Sequence, residues 1–189
     1  MSKKNPIAAA LLFAGMAFCA GASAQTYVGA ALSQARWDIN CTSATVCKSS
    51  DTGYKFFAGY DFNPFIGLET SYFSLGDVTA SAANLKGSFN ARGLDFSGVV
   101  KTPRLKGFAA FAKFGLAYVH GESGLSTGMV SASTSTSSTQ PVVGLGITYL
   151  IGDNTSLRAE YERRKAKVAD IDSAKSTVNI FSVGLQASY

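Results

Sequence analysis

The sequence predicts an all-β protein, an eight-stranded antiparallel up-and-down transmembrane β-barrel. Three observations lead to this fold class. Beyond an N-terminal export signal, the chain has no apolar run of the roughly 20 residues that a transmembrane helix needs. The remainder consists of short alternating segments separated by turn residues. In most of those segments one face is apolar and the other is small or charged, which suits a barrel with lipid outside and polar groups inside.

Residues 1–24 have the three parts of a cleavable secretory signal. Lys3 and Lys4 form the positive region, Ile7–Ala20 is apolar and uncharged, and a small-x-small cleavage site follows at 22–24. The apolar run is shorter than a helical membrane span. We therefore expect a signal peptide at 1–24 and a barrel domain at 25–189.

Charge and cysteine content narrow the possible functions. Loss of Lys3 and Lys4 with the signal lowers the formal charge from +5 to +3, which is too small to indicate nucleic-acid binding. The remaining cysteines, Cys41 and Cys47, are candidates for a local disulfide in the oxidising compartment that an exported chain enters. Two free thiols or a metal pair is the alternative, although no histidine lies near them in the sequence.

Eight segments have the strand pattern. They are rich in aromatic and β-branched residues and are bounded by turn residues. The predicted strands are approximately Thr26–Trp37, Gly53–Phe62, Phe65–Leu75, Gly93–Lys101, Gly107–His120, Gln140–Ile151, Ser156–Lys167 and Thr177–Tyr189.

The connections between these segments alternate in length. Short turns follow the second, fourth and sixth strands, and longer polar segments follow the odd-numbered strands. This alternation is typical of short periplasmic turns and longer external loops. The third loop contains a Ser/Thr run that cannot build a core, so we expect it to be mobile. The four predicted loops are Asn40–Ser50, Gly76–Arg92, Gly121–Thr139 and Ala169–Ser176.

Period-two alternation assigns each side chain to a face. In the second strand, Tyr54 and Phe56 share the apolar face and Lys55 lies on the other. Six strands share this arrangement, with aromatic rings near the ends of the apolar face, where a membrane interface favours them. A soluble barrel would have the opposite polarity. In the first strand, Gln34 breaks the pattern, and Trp37 requires either a bulge or a position above the bilayer.

The inward charges form a candidate interior site. An eight-stranded barrel is only wide enough for side chains to fill it, and an unpaired buried charge is too costly to retain. We therefore expect an ion-pair and hydrogen-bond network that closes the lumen; a catalytic or ion-conducting site is the functional alternative. The expected members are Lys55, Glu69, Lys113, Arg158 and Glu160, together with Asp95 and Glu162.

Short motifs along the whole mature chain resemble the OmpA-like β-barrel porin family, in its small stand-alone form. They are Tyr27-Val28-Gly29-Ala30, Gly59-Tyr60-Asp61-Phe62-Asn63-Pro64, Gly67-Leu68-Glu69 with Tyr72 and Leu75-Gly76, Ala112-Lys113-Phe114-Gly115, Gly144-Leu145-Gly146 with Tyr149, and Leu157-Arg158-Ala159-Glu160-Tyr161. The resemblance implies that Glu69, Lys113 and Glu160 occupy interior ion-pair positions. It also implies a Gram-negative outer membrane, with lipid and lipopolysaccharide around the barrel, and recognition of the C-terminal Tyr189 by the barrel-assembly machinery.

A catalytic role is not expected. The sole histidine, His120, has Glu122 and Ser123 beside it in the sequence, but adjacency does not supply the convergent geometry of a triad. No phosphate-binding loop, metal-ligand cluster or nucleic-acid motif is present in the sequence. We therefore expect a protein that is not an enzyme and uses no cofactor or metal.

The expected function is structural: an integral outer-membrane protein that supports the envelope and presents surface loops. Two alternatives remain open. The loops Gly76–Arg92 and Gly121–Thr139 could bind host or surface ligands, as in an adhesin, or the barrel could be a narrow pore for small solutes. A lipid-A-modifying enzyme is the least favoured class.

Overall fold

The structure, a computed structural model, describes residues 25–37, 46–47, 50–82, 85–127, 130–167 and 175–189. A helix long and apolar enough to cross a membrane does not occur among these residues. The strands are β1 Gln25–Trp37, β2 Val46–Cys47, β3 Ser50–Asn63, β4 Ile66–Ala82, β5 Leu85–Lys101, β6 Phe108–Thr127, β7 Val130–Leu150, β8 Thr155–Lys167 and β9 Lys175–Ser188.

Eight long strands close into one antiparallel barrel. Each long strand pairs with its neighbours in chain order, and β1 closes the ring by pairing with both β3 and β9. The predicted eight-stranded up-and-down barrel is therefore confirmed. Strand β2 is not part of the wall; its two residues pair with Ser81 and Ala80 of β4.

Three short connections form one end of the barrel, as predicted. In the first, the side-chain oxygen of Asn63 accepts hydrogen bonds from the backbone N–H groups of Phe65 and Ile66, at 2.8 and 2.9 Å. In the second, Lys106 and Gly107 have φ values of 51° and 87°. Positive φ at both central residues is what a two-residue type I′ hairpin requires.

The other end of the barrel differs from the sequence prediction. Strands β4 and β5 pair as far as Ala82 and Leu85, so the predicted loop Gly76–Arg92 is a β-hairpin. A bulge between Ser74 and Asp77 accompanies this extension of β4. The loop prediction was wrong because a polar composition rules out a buried core but does not prevent a hydrogen-bonded backbone ladder.

The predicted mobile loop Gly121–Thr139 is also a hairpin. Strands β6 and β7 pair without a register shift from Phe108 and Tyr149 to Thr127 and Val130. Threonine has a high strand propensity, and serine side chains do not interrupt the ladder. The Ser/Thr run therefore forms a paired strand where a loop was predicted, and its mobility stays a prediction.

Several predictions fall on residues that the structure does not describe. The signal sequence at 1–24, Cys41, and most of Asn40–Ser50 and Ala169–Ser176 lie outside the described residues. The cleavable signal and the Cys41–Cys47 disulfide therefore stay predictions.

The outward face of the barrel is apolar, as alternation predicted. Phe114, Leu145 and Leu157 are among the large apolar side chains that are 42% to 63% exposed on this face. Strand β1 pairs in regular register with β3 as far as Arg36 and with β9 as far as Trp37. The bulge considered for Trp37 is therefore excluded.

The lumen is filled in layers. Near the hairpin end, one cluster of buried apolar side chains spans the interior. Its members are Ala35, Phe73, Leu75, Ala91, Ala117, Val178 and Ile180. Towards the turn end lie the buried rings of Tyr27 and Phe57. The layer between them holds charged side chains and forms the candidate site.

Candidate functional site

Eight buried charged side chains meet in the middle of the lumen. None is more than 3% exposed. Four are basic and four acidic, so the cluster is formally neutral. We call this set the lumen cluster: Lys55 on β3, Glu69 on β4, Asp95 on β5, Lys113 on β6, and Arg158, Glu160, Glu162 and Arg164 on β8.

Strand alternation places these side chains inside. On β8, the spacing Arg-x-Glu-x-Glu-x-Arg puts all four charges on one face because strand side chains repeat with period two. Arg164 was not among the predicted members. Continuing the alternation from Arg158 by two residues at a time would have found it, but the adjacent basic residues gave the segment a surface character.

Lys113 lies at the centre of the cluster. Its Nζ is 3.3 Å from Glu69 Oε1 and 2.7 Å from Glu160 Oε1, and it also contacts Glu162. Lys55, on β3, contacts two of these three carboxylates. Its Nζ is 2.5 Å from Glu160 and 3.3 Å from Glu162. Each lysine therefore bridges carboxylates, which keeps the charges paired away from water.

Arg158 holds Glu69 by two hydrogen bonds. Its Nη1 and Nη2 donate to the two carboxylate oxygens at 2.7 and 3.1 Å, a bidentate arrangement that fixes both planes. The guanidinium carbon also lies 4.4 Å from the ring centre of Phe57 and 4.2 Å from that of Phe111. The Tyr27 hydroxyl donates to Glu69 at 3.0 Å. A guanidinium suits this position because it can stack on rings and bond a carboxylate simultaneously.

Arg164 forms the edge of the cluster nearest the apolar layer. Its Nη2 donates to Asp95 at 2.6 Å and to Glu162 at 2.9 Å. Its guanidinium carbon lies 3.9 Å from the ring centre of Phe73, a member of the apolar layer. The charged and apolar layers are thus in direct contact, with a cation–π interaction between them.

Glycine at Gly144 makes room for the central contacts. A Cβ there would lie 3.1 Å from Lys113 Cγ and 3.3 Å from Glu162 Cγ. These separations are tighter than ordinary van der Waals contact. The small residue therefore allows two long charged side chains to meet above its own strand.

A second ion pair lies at the turn end. Lys101 Nζ is 2.6 Å from Asp61 Oδ2, and the two side chains are 19% and 14% exposed. Lys101 also sits 4.2 Å from the ring centre of Tyr27. The pair lines a cavity of about 240 Å³ that opens at this end and also touches Arg158 and Gln186. The Lys101–Asp61 pair is therefore more exposed to solvent than the lumen cluster.

His120 lies at the base of the projecting hairpins. Its Nδ1 lies 2.8 Å from the hydroxyl of Ser137, and its Nε2 is 3.6 Å from Glu122, which also pairs with Arg92 at 3.0 Å. Glu122 and Arg92 are more than half exposed, so water competes for their charges. These contacts connect β5, β6 and β7 at the base of the hairpins.

The described residues contain no group of three or more His, Cys, Asp or Glu side chains arranged to hold a metal ion. Cys47 lies on β2. The lumen cluster places four cations among its four carboxylates, so its formal charges balance.

The comparison with protein families identifies the barrel. Residues 21–189 match the sequence model of the OmpA-like transmembrane domain. The chain belongs to this family. As a member of the OmpA-like transmembrane domain family with a closed barrel, it is an integral protein of the Gram-negative outer membrane.

Curated relatives support the same assignment. Outer membrane protein A of Shigella flexneri is 25% identical over 169 residues, covering 85% of this chain. Outer membrane protein A of Salmonella typhi is 26% identical over 168 residues, again covering 85% of this chain. The matched segments are 48% and 47% of those proteins, so the chain spans about half the length of the curated relatives it matches.

Solved structures show the same fold at low sequence identity. Ail, the attachment invasion locus protein of Yersinia pestis, superimposes with a TM-score of 0.59 and 18% identity over 88% of this chain and 99% of that one. Neisserial surface protein A gives a TM-score of 0.59 and 17% identity over 87% and 97% of the two chains. The outer membrane protein OprG of Pseudomonas aeruginosa gives 0.55 and 11% over 88% and 96%.

Proposed function

We propose that this protein is a structural barrel of the outer membrane whose lumen is closed, and that it acts without catalysis. The observation that carries the proposal is the lumen cluster, which occupies the middle of the barrel with side chains at most 3% exposed. The apolar layer around Phe73 and Ile180 fills the next section of the lumen. A solute would have to displace both layers to cross.

Planar-bilayer recording tests the closed lumen. We expect the purified barrel to give no steady single-channel current, because opening a path would separate several buried ion pairs together. A matched control is the variant Arg104→Gln, which removes an exposed charge in a turn. Steady, ion-selective current from the native protein would favour the narrow-pore alternative and contradict this proposal.

We also propose a second role, binding of host or surface ligands through the hairpins that extend β4 to β7. The observation in its favour is that these four strands continue as a paired sheet well beyond the last β7–β8 pair, Val142 with Arg164. A structure of the similarly folded Ail protein was solved with the heparin analogue sucrose octasulfate, which gives one ligand class to test.

Shortening one hairpin tests this role. Gly121 and Thr136 form a hydrogen-bonded pair, so residues 122–135 can be replaced by a two-residue Asn-Gly turn without changing the register. We expect this variant to keep its heat-modifiable gel mobility and to lose most binding to host cells and to immobilised heparin. Unchanged binding by the folded variant would contradict the role.

We propose three further partners: membrane lipid and lipopolysaccharide around the apolar face, and the barrel-assembly machinery at the C-terminus. Tyr189 is 72% exposed while its N–H bonds the carbonyl oxygen of Thr26 at 2.8 Å, which supports a ring that is available for recognition. Tyr189→Ala should slow assembly into vesicles that contain the machinery, whereas Tyr189→Phe should not. Equal assembly of the two variants would contradict recognition at this residue.

A further inference from the structure

The outward face of the barrel carries a depression near the turn end. It has a volume of about 510 Å³ and lies over β3, β1, β9 and the first residue of β8. We call this depression the trough. Because the chain is an integral outer-membrane protein, the trough faces the hydrocarbon of the bilayer. Its outward-facing lining residues are Val28, Ala30, Phe56, Thr155, Leu185 and Ala187.

The register of the strands brings short side chains together in the trough. Val28 of β1 pairs with Ala58 of β3 and with Ala187 of β9. Ala187 pairs in turn with Thr155 of β8. Paired residues on antiparallel strands have their side chains on the same face, with Cβ atoms about 4.5–5.5 Å apart. Four neighbouring strands therefore carry short side chains side by side, and Ala30 adds another at the next outward position of β1.

The floor of the trough is the main chain of the sheet. Gly29, Phe57 and Gln186 also line the depression. Phe57 and Gln186 are buried, and alternation directs their side chains into the lumen, so they contribute their main chain to the outer surface. Gly29 has no side chain at all. An occupant of the trough can therefore pack against the backbone of β1, β3 and β9.

Short outward side chains elsewhere on the wall lie beside larger ones. Gly98 of β5 pairs with Phe114, whose ring lies 3.5 Å from the position that a Cβ would take at the glycine. Ala112 of β6 pairs with Val100 and with Leu145. At both positions the larger neighbours occupy the adjacent space. The trough differs because its short side chains are neighbours of one another.

Large side chains form the rim of the trough. Phe56 and Leu185 flank Ala30 and are 49% and 52% exposed. Tyr60 and Tyr189 lie closer to the turn end and are 37% and 72% exposed. The convex wall of a second barrel would rest on this rim, whereas a hydrocarbon chain is thin enough to reach the floor. Apolar surfaces have no hydrophobic driving force to associate within lipid, so closeness of packing decides the occupant.

The depth of the trough indicates which part of a lipid it meets. Aromatic rings concentrate at the two membrane interfaces of an outer-membrane barrel. Tyr60 and Tyr189 are such rings at the turn end, and the trough lies immediately on the membrane side of them. Short turns face the periplasm. The trough is therefore at the level where the acyl chains of the periplasmic leaflet begin, and the Thr155 hydroxyl at its edge can donate to an ester carbonyl.

We propose that the trough binds one acyl chain of a phospholipid from the periplasmic leaflet. This inference rests on the lipid contact proposed above and names one place on the barrel where that contact is specific. An empty depression would forfeit dispersion contacts along its floor and rim, and a chain seated in it restores them. The bound chain should therefore stay longer in the trough than on the rest of the apolar face.

Photo-crosslinking with a lipid probe tests the proposal on the full protein. Vesicles of phosphatidylcholine contain a small proportion of a phosphatidylcholine that carries a diazirine near the ester end of one acyl chain. Light releases N₂ from the diazirine, and the resulting carbene inserts into a neighbouring C–H or O–H bond. Peptide mass spectrometry then locates the label. We expect about threefold more label at Val28, Ala30 and Ala187 than around Ala112 on the opposite wall.

Two variants with the same substitution make the test specific. Strands follow one another around the ring, so β6 stands opposite β1, and both alanines lie in the half of their strand nearest the turn end. Ala30→Leu fills the centre of the trough and should lower the label at Val28 and Ala187 by about threefold. Ala112→Leu should leave the label in the trough unchanged. The comparison of the two walls in the native protein does not depend on the folding of either variant.

The contrary results have separate meanings. Even labelling of the outward-facing residues on both walls, or an unchanged trough label in Ala30→Leu, would overturn the bound chain and leave general lipid contact intact. Less label in the trough than on the opposite wall would show that a second barrel or another protein covers it, which would also overturn the proposal. Labelling of no outward-facing residue would contradict the lipid contact itself.

Discussion

Replacing Lys113 with Met tests how strongly the lumen cluster stabilises the barrel. Methionine keeps an unbranched side chain of similar length and removes the charge. In the native cluster, Lys113 contacts three carboxylates: Glu69 at 3.3 Å, Glu160 at 2.7 Å, and Glu162. The variant leaves four buried carboxylates with three cations, so one negative charge is uncompensated.

The expected loss in the free energy of unfolding depends on the ion pairs that each carboxylate keeps in the variant. Removing one partner from a buried ion pair typically costs about 3–5 kcal/mol. Each affected carboxylate keeps a cation, Arg158 for Glu69, Lys55 for Glu160 and Arg164 for Glu162. We therefore expect a loss near the lower limit, about 3 kcal/mol. With a urea dependence of about 2–3 kcal/mol per molar, the unfolding midpoint should fall by about 1–1.5 M.

Urea unfolding in phospholipid vesicles provides the measurement, followed by the fluorescence of the single tryptophan, Trp37, and by heat-modifiable gel mobility. Arg104→Gln removes a charge from an exposed turn and should leave the midpoint nearly unchanged. The double variant Lys113→Met with Glu162→Gln restores neutrality and should lose less than the two single variants added together. An unchanged midpoint for Lys113→Met, or full additivity in the double variant, would refute a coupled network.

Three further predictions concern neighbouring contacts, and vesicle unfolding with urea measures each. Arg158→Lys loses the bidentate bond to Glu69 and stacking on two rings, so it should lower stability by about 1–3 kcal/mol although the charge is kept; native stability would show that charge alone matters. Gly59→Val places atoms where the ring of Tyr27 lies and should cost about 1–3 kcal/mol, whereas a neutral result would mean that the ring moves freely. Asp61→Asn breaks a partly exposed pair with Lys101 and should cost less than about 1 kcal/mol; a loss as large as that of Lys113→Met would contradict the layered lumen.

Strand number, faces and the inward direction of the charges could be predicted from sequence because they depend on local alternation. Lys55 and Glu160 were assigned inward from their own strands alone. That Lys55 meets Glu160 across 105 residues could not be derived, because the pairing depends on how far each strand is staggered when the barrel closes. Closure is a property of the whole sheet and is not encoded in any one segment.

The projecting hairpins show a different limit. The Ser/Thr run on β7 contains no apolar face, so periodicity gave no strand signal there. What continues this strand is the ladder begun inside the membrane by β6 and β7, which extends without a shift to Thr127 and Val130. The composition of this Ser/Thr run predicts a loop, but the run forms a strand because it continues the β6–β7 ladder.

The distribution of the lumen charges has a consequence for barrel size. Strand β8 contributes four members, and β3, β4, β5 and β6 contribute one each from the facing wall. Contacts such as Lys55 with Glu162 and Arg164 with Asp95 can form only when those walls are close enough for two side chains to meet between them. A sheet closed with more strands would hold the two walls beyond that reach and leave charges uncompensated. The ion pairs of the cluster therefore stabilise the native circumference relative to that of any closed sheet with more strands.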